Sequence, residues 1–316
     1  MGNSMSIKHK NLLGIEPLEK VEIEQILDGA KIFKELCAGN NKKFPALRGK
    51  LILNLFMENS TRTRSSFEIA EKRLGADILN FSASASSLTK GESFYDTIKT
   101  LESMEPQIVV MRHSSPGSAK FLADNIDASV ANAGDGPHEH PTQALLDAFT
   151  IREKMGTLTG LKIVIAGDIA HSRVTRSNIF LLTKMGNDVV LSGPATLIPR
   201  EIEGLNVRVE TDFDKAIEDA DVVMMLRIQK ERQKESFFPS LEEFNMLYGL
   251  SRERLKRLKE NSIVMHPGPI NRGVEINSEV ADGKRSVILR QVSNGISIRM
   301  AVLYLLAGGK INELTH

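Results

Sequence analysis

The chain has 316 residues, of which 41% are hydrophobic and 26% charged, and its formal net charge is +1. That is an ordinary globular composition with room for about two domains, and its near-neutrality excludes a broad basic field for nucleic acid or an acidic membrane. Its single cysteine, Cys37, excludes an intrachain disulfide, and the absence of a membrane-length apolar run or a signal-type h-region makes a cytoplasmic setting the expectation.

A helical pattern at 18–37 comes first and contains Cys37 as a structural residue. The apolar run 51–57 (LILNLFM) predicts a strand, which ends in Glu58, Asn59, Ser60, Thr61, Arg62, Thr63 and Arg64 before a helix over 65–74. Strands are predicted at 77–81, 107–111 and 128–132, with helices at 92–104 and 117–124 between them. A Gly-rich turn at 134–137 leads into a longer helix over 141–154. A second series begins at Gly160, with strands at 161–166, 188–191, 207–209, 222–226 and 262–266. Helices at 179–185, 213–219 and 252–258 separate them. The last helix, 296–306, is apolar around most of its circumference and is expected to be buried against the first domain. Short apolar strands alternating with helices predict parallel sheets covered on both faces. The fold class is therefore α/β, with two doubly wound parallel-sheet domains over 1–150 and 151–293. The segment 294–316 is expected to return to the first domain, and the active site to lie in the cleft between the two.

Ligands in such sheets bind at the carboxyl ends of the strands, and the notable polar motifs all fall there. A strand that opens into a helix through Ser60, Thr61, Arg62 and Thr63 predicts an anion site. Helix N-termini carry free N–H groups and a partial positive charge, hydroxyls add donors, and Arg62 adds a planar fork. Cations at that end oppose the dipole, so Arg62 and Arg64 call for an anion. The loop 81–93 (FSASASSLTKGES) is small and polar, with Lys90 as its one cation. Arg112 and His113 follow a strand, and Arg112 is the better candidate for the same anion. His138, Glu139 and His140 invite a metal, but no third and fourth ligand are suitably spaced, so neither metal nor cofactor is expected. His140 precedes Pro141 at a helix start, where a neutral imidazole can donate one N–H to a polarised oxygen, with Gln143 close by. In 167–178 (GDIAHSRVTRSN) the G-x-G-x-x-G spacing is absent, which argues against a nicotinamide cofactor, and Arg173 is the residue of interest. Arg227 and Gln229 stand at another strand end. In 265–270 (MHPGPI) two prolines fix a loop whose carbonyls can point into a site.

Together, Ser60-Thr61-Arg62-Thr63-Arg64, Lys90-Gly91-Glu92, Arg112-His113, His140-Pro141-Thr142-Gln143, Gly167-Asp168 with Arg173, Arg227 with Gln229, and His266-Pro267-Gly268-Pro269 resemble the transcarbamoylases over nearly the whole chain. Arg227-x-Gln229 and His-Pro-Gly-Pro, in place of the His-Cys-Leu-Pro usual for ornithine enzymes, point to the aspartate branch. The resemblance implies carbamoyl transfer from carbamoyl phosphate to L-aspartate, in pyrimidine biosynthesis. It implies that Ser60, Thr61, Arg62, Thr63 and Arg112 bind carbamoyl phosphate and that Thr63, Arg112 and His140 hold its carbonyl oxygen. Gln143 and the main chain at Gly268 and Pro269 would hold its amino group. Arg173, Arg227 and Gln229 would bind aspartate, and Glu58 would orient Arg173 and Arg232. Ser86 and Lys90 would enter from a neighbouring subunit, making a homotrimer with shared sites the minimum active unit, on which a regulatory subunit or a dihydroorotase partner stays open. The catalytic set would be Arg62, Thr63, Lys90, Arg112 and His140. Glu139, in place of the usual neutral residue, would add a charge near the cleft. Transfer to another acceptor such as ornithine, and a non-catalytic anion-binding relative, are the competing readings. The first would favour an acidic cluster near Arg227, where only Glu231 stands; the second would have lost site residues that are all present here.

Overall fold

Alternating apolar strands and amphipathic helices wind into two parallel sheets. The structure, a computed structural model, describes residues 8–39, 42–82, 93–228 and 240–315. The chain divides into one unit formed by Met1–Phe149 with Ser293–His316 and another formed by Thr150–Val292.

In the first unit, α1 (Lys20–Leu36) precedes β1 (Leu51–Phe56), α2 (Thr61–Leu74), β2 (Asp77–Ser82), α3 (Phe94–Glu102), β3 (Ile108–His113), α4 (Ser118–Asn125), β4 (Ser129–Asp135) and α5 (Pro141–Met155). The sheet order is β2-β1-β3-β4, all parallel. β1 is buried from Ile52 to Phe56, as expected of a parallel strand covered on both faces. Leu53, Leu55, Val109, Met111 and Val130 form one face against Ile98 and Leu101 of α3 and Ala119 and Leu122 of α4. An N-terminal segment that the sequence did not predict as ordered lies along β4: Leu12 N–H donates to Val130 O at 2.8 Å and Leu12 O accepts from Asn132 N at 2.9 Å. Cys37 ends α1 and is buried, which pushes its thiol pKa up.

The second unit runs through β5 (Lys162–Ala166), α6 (Arg173–Lys184), β6 (Asp188–Ser192), β7 (Arg208–Val209), α7 (Phe213–Ala216), β8 (Val222–Met225), α8 (Leu241–Tyr248), β9 (Ile263–Met265) and α9 (Ser278–Ala281). Its parallel sheet has the order β7-β6-β5-β8-β9. Val164, Ala166, Val190, Val223, Met225 and Val264 pack on Phe213, Ile217, Leu250, Ile276 and Val280. The alternate residues Ile163, Ile165, Leu191 and Met224 are equally buried, so both faces are covered. The final helix, α10 (Ile288–Leu306), begins well before the predicted 296. Within the first unit its Tyr304 meets Phe33 of α1 edge-on at 5.6 Å. Among the described residues no helix is long and apolar enough to cross a membrane.

Several predicted boundaries shift. α2 starts at Thr61 rather than 65, and α6 at Arg173 rather than 179. In both, polar first-turn residues hide the start from a reading based on apolar spacing. Arg112 and His113 lie inside β3 rather than after it. The expected helix at 252–258 is a single 3-10 turn, Arg254–Arg257. The helix expected at 213–219 stops at Ala216, and Asp219 takes a positive φ of 52°.

Candidate active site

In each sheet the strand order reverses once, between β1 and β3 in the first and between β5 and β8 in the second. The carboxyl ends at such a reversal leave a crevice for ligands.

At the first reversal, β1 leads through Glu58 and Ser60 into α2. Ser60 is the N-cap, with φ −158° and ψ 87°, yet its hydroxyl does not cap the helix. In α3, α6 and α8 the N-cap serine fills that position from within: Ser93 Oγ accepts from Asp96 N, Ser172 Oγ from Thr175 N, and Ser240 Oγ from Glu243 N, at 3.1–3.3 Å. A helix start without that side-chain cap suits an external anionic acceptor. Thr63 is buried there, whereas Thr61 and Arg62 are exposed. Arg64 turns away: its Nε lies 3.4 Å from Glu68 one turn later, so it carries its own counter-charge. Arg112, near the end of β3, is fixed by an Nη1–H bond to Ala133 O at 2.9 Å, and its Nη2 lies 3.7 Å from Glu58 Oε1. Glu58 therefore faces Arg112 within its own unit. His113 is tied down separately, with Nδ1 accepting from Ser115 N at 2.9 Å, and burial holds its pKa below the ordinary value.

The turn from β4 into α5 is built on Asp135, which is buried. Its Oδ1 accepts from Asn132 Nδ2 at 2.8 Å and from Glu139 N at 3.2 Å, and its Oδ2 accepts from Gly117 N at 2.8 Å. His138 Nδ1 lies 3.0 Å from the same carboxylate, so this histidine braces the turn. Glu139 is 1% exposed, and its carboxylate accepts from Ile15 N at 2.8 Å and Glu16 N at 3.5 Å. The extra charge expected near the ligand site instead anchors the N-terminal segment. His140 then sits buried immediately before α5. Gln143, in its first turn, donates from Nε2 to Asp147 Oδ1 at 3.0 Å. A carboxylate can only accept, so Oε1 is the amide atom left for a donor on a ligand.

At the second reversal, Gly167 follows β5 with φ 128°, and a Cβ there would lie 2.7 Å from Leu226 O, so only glycine allows these strand ends to approach. Asp168, fully buried, accepts from His171 Nδ1 at 2.7 Å and His171 N at 3.3 Å, shaping the turn before α6. Arg173 is then the first residue of α6 and is 4% exposed. Arg227 follows β8 and is half-buried between the buried Leu226 and Ile228. Ile228 packs with Leu197 and with Phe244 of α8, a helix whose first turn, with Glu242 and Glu243, hides it from a reading based on apolar spacing. After β9, His266 and Glu275 are both fully buried with Nε2 and Oε1 3.0 Å apart. His266 Nδ1 accepts from Gly268 N at 2.7 Å, so the ring's proton is on Nε2 and donates to Glu275. Glu275 Oε1 also accepts from Asn271 N at 2.6 Å. This pair pins the loop that presents half-buried Gly268 and exposed Pro269. The sequence offered a hint in the prolines but none in Glu275, nine residues from its partner.

Within the first unit the structure thus gathers Ser60, Thr61, Arg62, Thr63 and Arg112 at one reversal, with His140 and Gln143 at the end of the neighbouring β4. Within the second it brings Arg173 and Arg227 to the other reversal, and Gly268 and Pro269 to the end of β9. Ser86, Lys90, Gln229 and Arg232 lie outside the described residues.

Two family profiles match this chain: "Aspartate/ornithine carbamoyltransferase, carbamoyl-P binding domain" over residues 10–153 and "Asp/Orn binding domain" over residues 159–306. The chain belongs to the aspartate/ornithine carbamoyltransferase family. Among its relatives is the aspartate carbamoyltransferase catalytic subunit of Halothermothrix orenii, 57% identical over 98% of this chain and 99% of the relative. The catalytic subunit of Desulfotalea psychrophila is 54% identical over 99% of this chain and 98% of its own. The solved aspartate transcarbamoylase of Trypanosoma cruzi, in complex with carbamoyl phosphate and aspartate, superposes with a TM-score of 0.86 at 31% identity, covering 93% of this chain and 95% of that one. The ornithine carbamoyltransferase of Pyrococcus furiosus superposes almost equally, with a TM-score of 0.85 at 31% identity over 96% of this chain and 99% of that one. Both kinds of carbamoyltransferase share the fold, so the acceptor is distinguished by residues and not by architecture.

Proposed function

We propose that the chain transfers the carbamoyl group of carbamoyl phosphate to the amine of L-aspartate, giving N-carbamoyl-L-aspartate and phosphate. One observation carries the reading: both sheet reversals are furnished for anions, the first by hydroxyls, an uncapped helix start and arginines, the second by Arg173 and Arg227. A phosphate ester and a dicarboxylate have this division of charge. Relatives named aspartate carbamoyltransferase at 54–57% identity supply the acceptor.

In this reading Ser60, Thr61, Arg62, Thr63 and Arg112 bind the phosphate of carbamoyl phosphate. Thr63, Arg112 and His140 hold the carbonyl oxygen, and Gln143 Oε1 with the main chain at Gly268 and Pro269 accepts from the amino group. Arg173, Arg227 and Gln229 hold the two carboxylates of aspartate. The aspartate amine attacks the carbonyl carbon, a tetrahedral oxyanion forms, and the bond from carbon to the phosphate oxygen breaks. The amine's proton leaves on the departing phosphate. Charge-assisted hydrogen bonds of this kind contribute roughly 1.5–3 kcal/mol each. An oxyanion donor such as His140 is worth about a hundred- to a thousandfold in rate. Holding both reactants in contact supplies much of the rest.

Ser86 and Lys90 complete the site from a neighbouring subunit, so the working unit is a homotrimer, placed in the cytoplasm and in pyrimidine biosynthesis. The carbamoyl-phosphate role belongs to 1–150 with 294–316, and the aspartate role to 151–293. The test is a product assay with carbamoyl phosphate and either aspartate or ornithine. Carbamoyl-aspartate alone is expected; citrulline would overturn the acceptor assignment. Activity from mixed Lys90→Ala and Arg112→Ala chains tests the shared site, and inactive hybrid trimers would overturn it.

A further inference from the structure

Beneath the first half-site lies a charged side chain with no part in the mechanism above. Arg299 of α10 is 3% exposed. Its guanidinium stacks over the Phe67 ring at 4.9 Å and donates from Nη1 to Ser66 Oγ at 2.9 Å, both on α2. Its Nε makes no hydrogen bond among the described residues. Burial pulls its pKa down to about 9, Asp147 opposes that shift and Arg112 adds to it, so the group is still charged at neutral pH.

A buried charge with an unfilled donor is a poor way to stabilise a core, and a hydrophobic side chain of similar volume would serve as well or better. The chain nevertheless makes room for it. A Cβ on Gly295, one turn earlier on α10, would lie 2.4 Å from Arg299 Nη1 and 3.1 Å from Leu146 Cδ2. A side chain at 295 would therefore displace the guanidinium from the position in which it reaches α2.

The partners show what the group is placed to do. Ser66 and Phe67 fall in the turn after Thr61–Thr63, so Arg299 fixes the roll of the helix whose start receives the phosphate.

We propose that Arg299 is a positioning residue for carbamoyl phosphate, acting through Ser66 and Phe67 on the start of α2. The inference rests on the carbamoyl-transfer reading and adds to it a residue from α10 that touches neither substrate.

The test compares steady-state kinetics of the wild type, Arg299→Met, Arg299→Lys and Gly295→Ala, with carbamoyl-phosphate affinity measured calorimetrically. Arg299→Met is expected to raise both KM and Kd for carbamoyl phosphate about tenfold or more while KM for aspartate stays within about twofold. Arg299→Lys should recover part of the loss, because it keeps the charge without the planar fork. Gly295→Ala should show the same selective rise with Arg299 still present, and it carries the test should Arg299→Met fail to fold. Unchanged carbamoyl-phosphate affinity in folded Arg299→Met or Gly295→Ala, with only the melting temperature lowered, would overturn the proposal. Wild-type protein that makes no carbamoyl-aspartate would instead break the functional reading.

Discussion

The two sheet reversals solve the same problem with different parts. In the first unit the proposed anion site is mostly backbone and short hydroxyls, set at a helix start without a side-chain cap, beside Arg112 on β3. Behind it stands a dense polar scaffold of Asp135, Glu139, Asp147 and Arg299. In the second unit the cationic groups are long side chains: Arg173 at the first position of α6 and Arg227 on the exit of β8. A site made from main-chain donors suits a group that never changes, as the phosphate of the proposed substrate would be. A site made from side chains can be altered by a few substitutions, which fits a family whose acceptors include aspartate and ornithine.

The largest effect should come from the first site. Arg62 is exposed, so Arg62→Ala should leave the fold and melting temperature nearly unchanged. It should nevertheless lower kcat/KM by about a thousandfold, since it removes a forked donor from the reacting phosphate. Calorimetry with carbamoyl phosphate checks this, and retained affinity would mean that the helix start binds the anion without it. Arg227→Ala should act on one side only. We expect KM for aspartate to rise roughly ten- to a hundredfold, the worth of one charge-assisted contact, with KM for carbamoyl phosphate steady. A rise in both would show that the two sites are not separable.

The sequence displays the first site far more openly than the second. Ser60 to Arg64 is contiguous, and its chemistry follows from a strand running into a helix. The parallel α/β class was equally readable, because continuous apolar runs such as 51–56 and 162–166 bury on both faces. What was hidden depends on distance along the chain. Glu139 was read as a stray charge because its partners, Ile15 and Glu16, lie more than a hundred residues away. Glu275 was invisible until the fold brought it to His266. Arg299 lies in a helix that the sequence marks only as apolar; its placement requires Ser66, Phe67 and Gly295 together. Arg64 is the opposite case: beside Arg62 it calls for an anion, yet Glu68 one turn on already supplies its counter-charge.

The scaffolds behind the sites can be separated by pH. In the second unit the buried His266 and Glu275 are joined by a hydrogen bond of 3.0 Å. In the first, Glu71 on α2 accepts one bond from Asn54 Nδ2 at 2.8 Å, while its Oε1 and Asn54 Oδ1 find no partner among the described residues. Burial raises the Glu71 pKa from 4.5 to about 8. Between those values the unfolded chain releases a proton that the folded chain keeps, so stability falls as pH rises from 4.5 to 8 and the deficit is complete above 8. Glu71→Gln keeps the shape and removes the titration. Urea unfolding should find it near wild type at acid pH and more stable by about 1–2 kcal/mol in mildly alkaline buffer. An equal difference at both ends would mean that Glu71 does not titrate in this range.

The smallest expected effect is also the sharpest test of the first site. Arg64 shares the first turn of α2 with Arg62 and is paired with Glu68 at 3.4 Å on an exposed face. Such a pair contributes about 0–1 kcal/mol. Arg64→Ala should therefore leave KM for carbamoyl phosphate within about twofold and stability within about 0.5 kcal/mol. If the general positive field of the helix start were what holds the phosphate, removing either arginine would weaken binding alike. A wide gap between Arg62→Ala and Arg64→Ala would mean that donor placement, and not net charge, selects the phosphate.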